Sequence, residues 1–167
     1  YTAGRRPYGY MGLGDLSVLI FFGLTGVMGA YYLFTHTIST QEIMPALSCG
    51  FFAVAVLNIN NIRDIASDSK AGKLSIPVRI GRSNAVRYHW ILLTAGWVCA
   101  VLYTLLNYHA AVQFIFLLSA PLFIKNAAAV YQKPAHELDP YLKQMALSTL
   151  LFVLLFGVGL NLAHWLA

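Results

Sequence analysis

Between Ile43 and Ile62 the chain runs without one charged side chain. A bilayer-spanning helix needs about 20 predominantly apolar residues, and this run supplies them. Hydropathy marks five such stretches, over 16–35, 43–62, 88–107, 110–131 and 145–166, of which only the fourth holds a charge, Lys125. Hydrocarbon offers no partners to backbone N–H and C=O groups, so a spanning segment must be a helix or part of a closed barrel. Apolar runs of this length, without strict alternation, predict helices. The expectation is an all-α integral membrane protein, residues 1–167 forming a single membrane domain. Composition agrees: 59% of residues are hydrophobic and 10% charged, against roughly 45–50% and 25% in soluble domains. The first residue is Tyr1, with neither a signal nor a transit peptide after it, so the chain reads as a fragment lacking an N-terminal part. Cys49 and Cys99 lie in separate apolar runs and read as buried reduced thiols, not as a disulfide or metal site.

The distribution of charge predicts an orientation. Arg5 and Arg6 precede the first span, Arg63, Lys70, Lys73, Arg79, Arg82 and Arg87 fall between the second and third, and Lys125, Lys133 and Lys143 lie around the end of the fourth and before the fifth. Together they are all 11 basic residues, and every one belongs to the same side of the bilayer. Positive charge marks the cytoplasmic face, so the N-terminal end and the 62–87 loop are expected there. The net charge of +5 is used in this way for orientation, and no nucleic-acid partner is expected. Pro121 and Lys125 mark the fourth span as one that snorkels or stops early.

The polar loop opens with "NINNIRDIASDSKAGK", Asn58 to Lys73. Asn60, Asp64 and Asp68 are spaced i, i+4, i+8, which stacks them on one helical face, with Asn61 beside the stripe. Two carboxylates about 4 Å apart repel by ~4 kcal/mol at an effective dielectric of 20. The negative end of the helix dipole adds to the repulsion. Such an arrangement is poor as unliganded structure and suited to a hard cation such as Mg²⁺, which is usually held by one or two carboxylates and substrate phosphates. The surrounding Arg63, Lys70 and Lys73, with Arg5 and Arg6, suit an anionic ligand such as a diphosphate. The plainer alternative is a set of solvated charges in which Asp68 pairs with Lys70 or Lys73. Spacing alone leaves both open.

The stretches "NNIRDIASDSKAGKLSIPVRIGRSNAVRYH" and "YTAGRRPYGYMGLGDLSVLIFFGLTGVMGAYYL" resemble the second aspartate motif and the preceding loop of UbiA-type intramembrane prenyltransferases. The form of both loops is most similar to the branch of that family acting on 1,4-dihydroxy-2-naphthoate. The resemblance implies a nine-helix bundle of which this chain supplies the last five helices. The first aspartate motif, and with it half the metal ligands, would lie in the missing N-terminal half. By the same resemblance Asp64 and Asp68 bind Mg²⁺ with Asn60 and Asn61 beside them. Arg5, Arg6, Lys70 and Lys73 then grip the diphosphate, and Tyr1 matches the tyrosine that opens the loop.

The implied reaction moves a polyprenyl group from polyprenyl diphosphate onto 1,4-dihydroxy-2-naphthoate, with loss of CO₂ and diphosphate, giving demethylmenaquinone. The fragment alone is expected to be inactive. Alternatives within the family use 4-hydroxybenzoate, homogentisate or a tetrapyrrole as acceptor. From other classes come an ion-coupled transporter and a non-catalytic subunit. A transporter site is expected near the bilayer midplane, whereas this acid pair sits at a helix end. Phe21, Phe22, Phe51 and Phe52 are candidate walls for a carbocation, although each reads more readily as packing or lipid-facing. Tyr31, Tyr32, Trp90, Trp97 and Trp165 read as interfacial anchors. His36, His109 and His164 fall on the far side, and His89 and His136 have no partners at metal-ligand spacing. The small residues of "GLTGVMGAYY" and "GFFAVAVLN" read as close helix packing.

Overall fold

A computed structural model describes residues 8–166. Among them, five helices are long and apolar enough to cross a membrane, and the molecule is a multi-pass membrane protein. Helix α1 spans Gly14–Thr35, with its middle, Leu19–Thr25, wound as π-helix. Helix α2 covers Ile43–Arg63 and the short α3 covers Ile65–Lys70. Helix α4 runs Ile76–Leu106, α5 Ala111–Gln132 and α6 Asp139–Leu166. Short connections make successive long helices antiparallel. The start of α1, the end of α2, α3, the start of α4, the end of α5 and the start of α6 therefore share one end of the bundle.

The third span differs most from the reading by hydropathy. Residues 62–87 were expected as a loop before a helix at 88, but the chain is helical again over α3 and from Ile76 onward. Pro77 sits in the first turn of α4, where its missing N–H costs nothing and its fixed φ suits the helix. Pro77, Ala85, Val86 and His89 are buried while Arg79 and Arg87 are exposed, so this stretch is amphipathic. A hydropathy window counts the charges and misses the face. Gly81, at φ 77° and ψ 162°, breaks the helix there, a backbone conformation that glycine adopts readily. The fifth helix likewise starts at Asp139, before the apolar run at 145. The fourth does not stop at Lys125, which lies exposed inside α5. Its first part, Ala111–Ser119, is 3₁₀-wound and becomes α-helical at Ala120, just before Pro121.

Helix α2 is central, packed against α1, α4 and α6. Half of its apolar stretch is buried, against 6% for α1, which leaves α1 peripheral. A Cβ on Gly23 would stand 2.8 Å from the Gly50 Cα and 2.7 Å from the Ala46 carbonyl oxygen. The backbones of α1 and α2 can cross this closely only through small residues. Deeper in, Phe52, Trp97, Phe116, Phe123, Phe152 and Phe156 form one aromatic cluster fed by α2, α4, α5 and α6. Phe52 lies 4.6 Å from Phe123 and 4.9 Å from Phe152, ring centre to ring centre, within the range of favourable aromatic pairing. One expectation changes as a result, that for Trp97, while Phe52 follows its favoured reading as packing. Trp97 is a core residue, not an interfacial anchor, and Phe52 is fully buried packing, while Phe21 and Phe22 are exposed. Cys49 and Cys99 are free and half-buried.

Polar side chains tie the helices together inside the apolar mass. Asn58 donates to the Ala85 carbonyl at 3.1 Å, linking α2 to α4. The Tyr88 hydroxyl donates to the buried Asp15 carboxylate at 3.0 Å, linking α4 to α1. His89 is fully buried, with its Nε2 3.2 Å from Asn126 Oδ1. Asn126 in turn donates to the Tyr141 carbonyl at 2.8 Å and to Gln144. In an apolar medium an unpaired polar group is costly, so each of these bonds fixes helix register.

The core makes a paired prediction. A Cβ on Gly96 would meet the Phe52 ring at 2.5 Å, whereas one on Gly157 meets nothing within 4 Å. Gly96→Ala is expected to destabilise by about 1–3 kcal/mol through overpacking, and Gly157→Ala to be neutral or stabilising by up to about 1 kcal/mol. Thermal unfolding in detergent measures both, and equal shifts would contradict the packing of Phe52 on Gly96.

Candidate active site

The sequence from Asn60 to Ser75 folds back on itself at the end of α2. Asp64 leaves helical geometry at φ −96° and ψ 9°, yet its N–H still bonds the Asn60 carbonyl at 3.0 Å. The Asp68 N–H bonds the Asp64 carbonyl at 2.8 Å, so the one-turn spacing of the stripe continues across the bend. Gly72, at φ +70°, ends α3 and reverses the chain. The Lys73 N–H then bonds the Asp68 carbonyl at 2.9 Å. Lys73 is thereby carried back over the stripe that precedes it.

Each carboxylate has its own cation. Arg63 grips Asp64 with a two-pronged fork, Nε to Oδ1 at 2.8 Å and Nη2 to Oδ2 at 2.9 Å. Its Nη2 also donates to Asn60 Oδ1 at 2.9 Å, and its Nη1 to Asp139 at the start of α6. The Lys73 ammonium donates to Asp68 Oδ2 at 2.7 Å and to the buried Asn61 Oδ1 at 3.2 Å. The repulsion expected from bare stacked acids is relieved in this way. The hydrogen bonds from Arg63 hold the Asp64 carboxyl below the usual carboxylate range, against a smaller opposing effect of burial. That link therefore stabilises the fold above about pH 3.9, the ordinary aspartate value, and is lost as the pH falls through the lowered one.

Of the residues singled out in the sequence, Asn60, Asn61, Asp64, Asp68 and Lys73 come together. Lys70 is exposed on α3 and makes no ion pair among the described residues. Tyr1, Arg5 and Arg6 lie outside the described residues. Two carboxylates and two side-chain amides form an oxygen donor set that fits a hard divalent ion, and Mg²⁺ typically takes only one or two carboxylates from protein. Among the described residues no group of three or more His, Cys, Asp or Glu side chains assembles. An ion on this pair would therefore complete its shell from elsewhere. Beside the stripe opens a groove of about 460 Å³ between α1, α2 and α6, lined by Val18, Phe22, Ala53, Leu57 and Leu142 and bordered by Asn60. Asn60, which accepts from Arg63, is the residue common to the charged cluster and this apolar groove.

Sequence reasoning missed two side chains that hold this region. Asp139 is far from Arg63 in sequence, and no local pattern joins them. Arg79, counted among the loop cations, donates from Nε to the Leu74 carbonyl at 3.0 Å and from Nη2 to the Met11 carbonyl at 2.6 Å. The Leu74 N–H bonds the Tyr10 carbonyl at 2.9 Å. Gly12, at φ +79°, lies so close that a Cβ would stand 2.6 Å from the Leu74 oxygen. Together these contacts latch Tyr10–Gly12 onto the residue that follows Lys73. Arg79→Ala and Gly12→Ala should each raise hydrogen–deuterium exchange at Leu74 by about tenfold, a net bond of roughly 1–1.5 kcal/mol being lost, with α5 unchanged. Unaltered exchange at Leu74 in both would mean that no latch forms.

The chain matches the UbiA prenyltransferase family over residues 1–150. It is 48% identical over its whole length to 54% of the 1,4-dihydroxy-2-naphthoate octaprenyltransferase of Escherichia coli. With the protein of the same name from Haemophilus influenzae it shares 49% identity over 96% of this chain and 52% of that one. The Mycobacterium tuberculosis protein of that name is 33% identical over 92% of this chain and 52% of its own. The chain thus spans about half the length of the curated relatives it matches. No solved structure matches it. A family match across the acid stripe and four of the five spanning helices, joined to relatives this similar, means that the chain belongs to the UbiA prenyltransferase family.

Proposed function

We propose that this chain is the C-terminal part of an Mg²⁺-dependent enzyme that transfers a polyprenyl group to 1,4-dihydroxy-2-naphthoate, in the pathway to menaquinone. The observation that carries the reading is the adjacency of paired acids and cations at a helix end to an apolar groove, with Asn60 belonging to both. A polyprenyl diphosphate has the same division, a multiply charged head and a hydrocarbon tail. The names of the bacterial relatives support the acceptor.

Asp64 and Asp68 would hold the metal, with Asn60 and Asn61 orienting around it. A bound Mg²⁺ supplies charge stabilisation to the departing diphosphate. Lys73, Lys70 and the pair Arg5 and Arg6 add positive charge at the same head group. The allylic C–O bond breaks with its electrons leaving on diphosphate, and the prenyl carbon bonds to the electron-rich ring. The ring carboxylate departs as CO₂, leaving a prenylated naphthoquinol. Phe22 and the aliphatic wall of the groove keep water from the allylic cation. The basic end of the bundle faces the cytoplasm of a bacterium, in its inner membrane, where both ionic substrates arrive. The N-terminal half of the protein supplies the remaining metal ligands, so the present chain has no turnover by itself.

A prenylation assay in membranes with labelled polyprenyl diphosphate and dihydroxynaphthoate tests this. Activity is expected from the chain co-expressed with its N-terminal half, and none from the chain alone. Asp64→Asn and Asp68→Asn should each cost about 10²-fold or more in turnover, the scale on which charge-stabilising groups act, as should removal of Mg²⁺ by EDTA. An intact pair that makes no prenylated naphthoquinol would overturn the acceptor. Full activity with both aspartates replaced would overturn the metal assignment.

A further inference from the structure

A second cavity of about 640 Å³, which shares no lining residue with the acid stripe, lies between α4 and α5 and is lined by Arg82, Ser83, Val86, Arg87, Trp90 and Tyr131. Gly81 breaks α4 immediately before it, so Arg79 serves the latch while Arg82 lines this cavity. Arg82 donates to the Lys133 carbonyl at the end of α5, and among the described residues Arg87 makes only a long contact, 3.5 Å, to Asn84. A guanidinium carries five N–H donors, so both retain free ones. Among the described residues neither has a carboxylate partner, the nearby Lys133 and Glu137 being paired with each other at 3.1 Å. Two arginines and a serine hydroxyl make a phosphate-binding donor set.

The cavity has a continuation. Trp90 also lines an apolar groove of about 390 Å³ that runs along α4 and α5 past Trp97, Val98, Leu102, Phe123 and Ile124. Val98, Leu102 and Ile124 are exposed on it. The groove points from the basic end of the bundle toward the bilayer interior, with Trp90 as the shared neck. Trp90 and Tyr131 are exposed aromatics, of the kind that settle at head-group depth. Basic pockets between helices at a membrane surface select anionic head groups, and the charge here is complementary to one.

We propose that Arg82, Ser83 and Arg87 bind the phosphate of an anionic phospholipid, one of whose acyl chains lies in the α4–α5 groove past Trp90. The site is separate from the Asp64–Asp68 stripe and stands whether or not the prenyltransferase reading does.

The test uses the full-length protein, N-terminal half included, purified in detergent. Native mass spectrometry should show retained phosphatidylglycerol in preference to phosphatidylcholine of the same chains. Each basic residue near a membrane surface contributes on the order of 1 kcal/mol, so Arg82→Gln with Arg87→Gln should weaken phosphatidylglycerol binding about 30-fold. Arg87→Gln alone, at an exposed position, should weaken it several-fold without the loss of the Arg82 bond to Lys133. Phosphatidylglycerol brominated on its acyl chain should quench wild-type tryptophan fluorescence, and less so after Trp90→Phe. Inorganic phosphate competing as well as the lipid would remove the acyl chain from the proposal. Equal retention of phosphatidylcholine would remove the arginines. A groove that binds no lipid because the N-terminal helices cover it would overturn it.

Discussion

A pair of carboxylates one turn apart at the negative end of a helix is stable only if something nearby cancels its charge. The two cations that do so are built into the same few residues. Arg63 reaches forward to Asp64, and Lys73 is brought back to Asp68 by the reversal at Gly72. Neither pair is fully exposed: the Lys73 and Asp68 side chains are 18% and 13% accessible, which lessens the screening that weakens surface ion pairs. A site held in this way keeps its carboxylates and their cations in fixed positions. The carboxylates are held in place by Arg63 and Lys73, and in the proposed function a metal would have to share them with those two cations.

The backbone devices around this pair have one purpose in common, to bring segments distant in sequence to a single end of the bundle. The bend at Asp64 ends α2 without dispersing the stripe. The positive φ at Gly12 lets the segment before α1 approach Leu74 within backbone hydrogen-bonding distance. The break at Gly81 separates Arg79, which ties that segment down, from Arg82, which lines the cavity against α5. A uniform helix from Ile76 would give its arginines one continuous face. The broken one distributes them.

What could be read in the sequence was local in character. The five apolar runs depend on composition within a window, and the Asn60–Asp64–Asp68 stripe on a spacing of one helical turn. Helix bounds were less legible where amphipathicity replaced plain hydrophobicity, as over 76–87, where buried Ala85 and Val86 alternate with exposed arginines. Trp97 could not be told from an interfacial anchor, because its place in the aromatic cluster depends on Phe52, Phe116 and Phe152 from three other helices. Asp139 and Arg79 were hidden for the same reason: their partners lie 76 and 68 positions away. Pairings of that range follow from the packing of helices, and no short motif encodes them.

Long-range polar contacts also connect the interior of the bundle to the site. The buried chain of bonds from His89 through Asn126 to Tyr141 and Gln144 fixes the first turns of α6 against α4 and α5. In a bilayer, apolar helix faces slide with little penalty because lipid is as good a neighbour as another helix, and polar bonds supply the register that the hydrophobic effect does not. With α6 held at that register, Asp139 at its first residue meets Arg63. Arg63 is consequently shared between two carboxylates. If a metal were to share Asp64, as the proposed function has it, the contact with Asp139 would still hold the guanidinium beside the stripe.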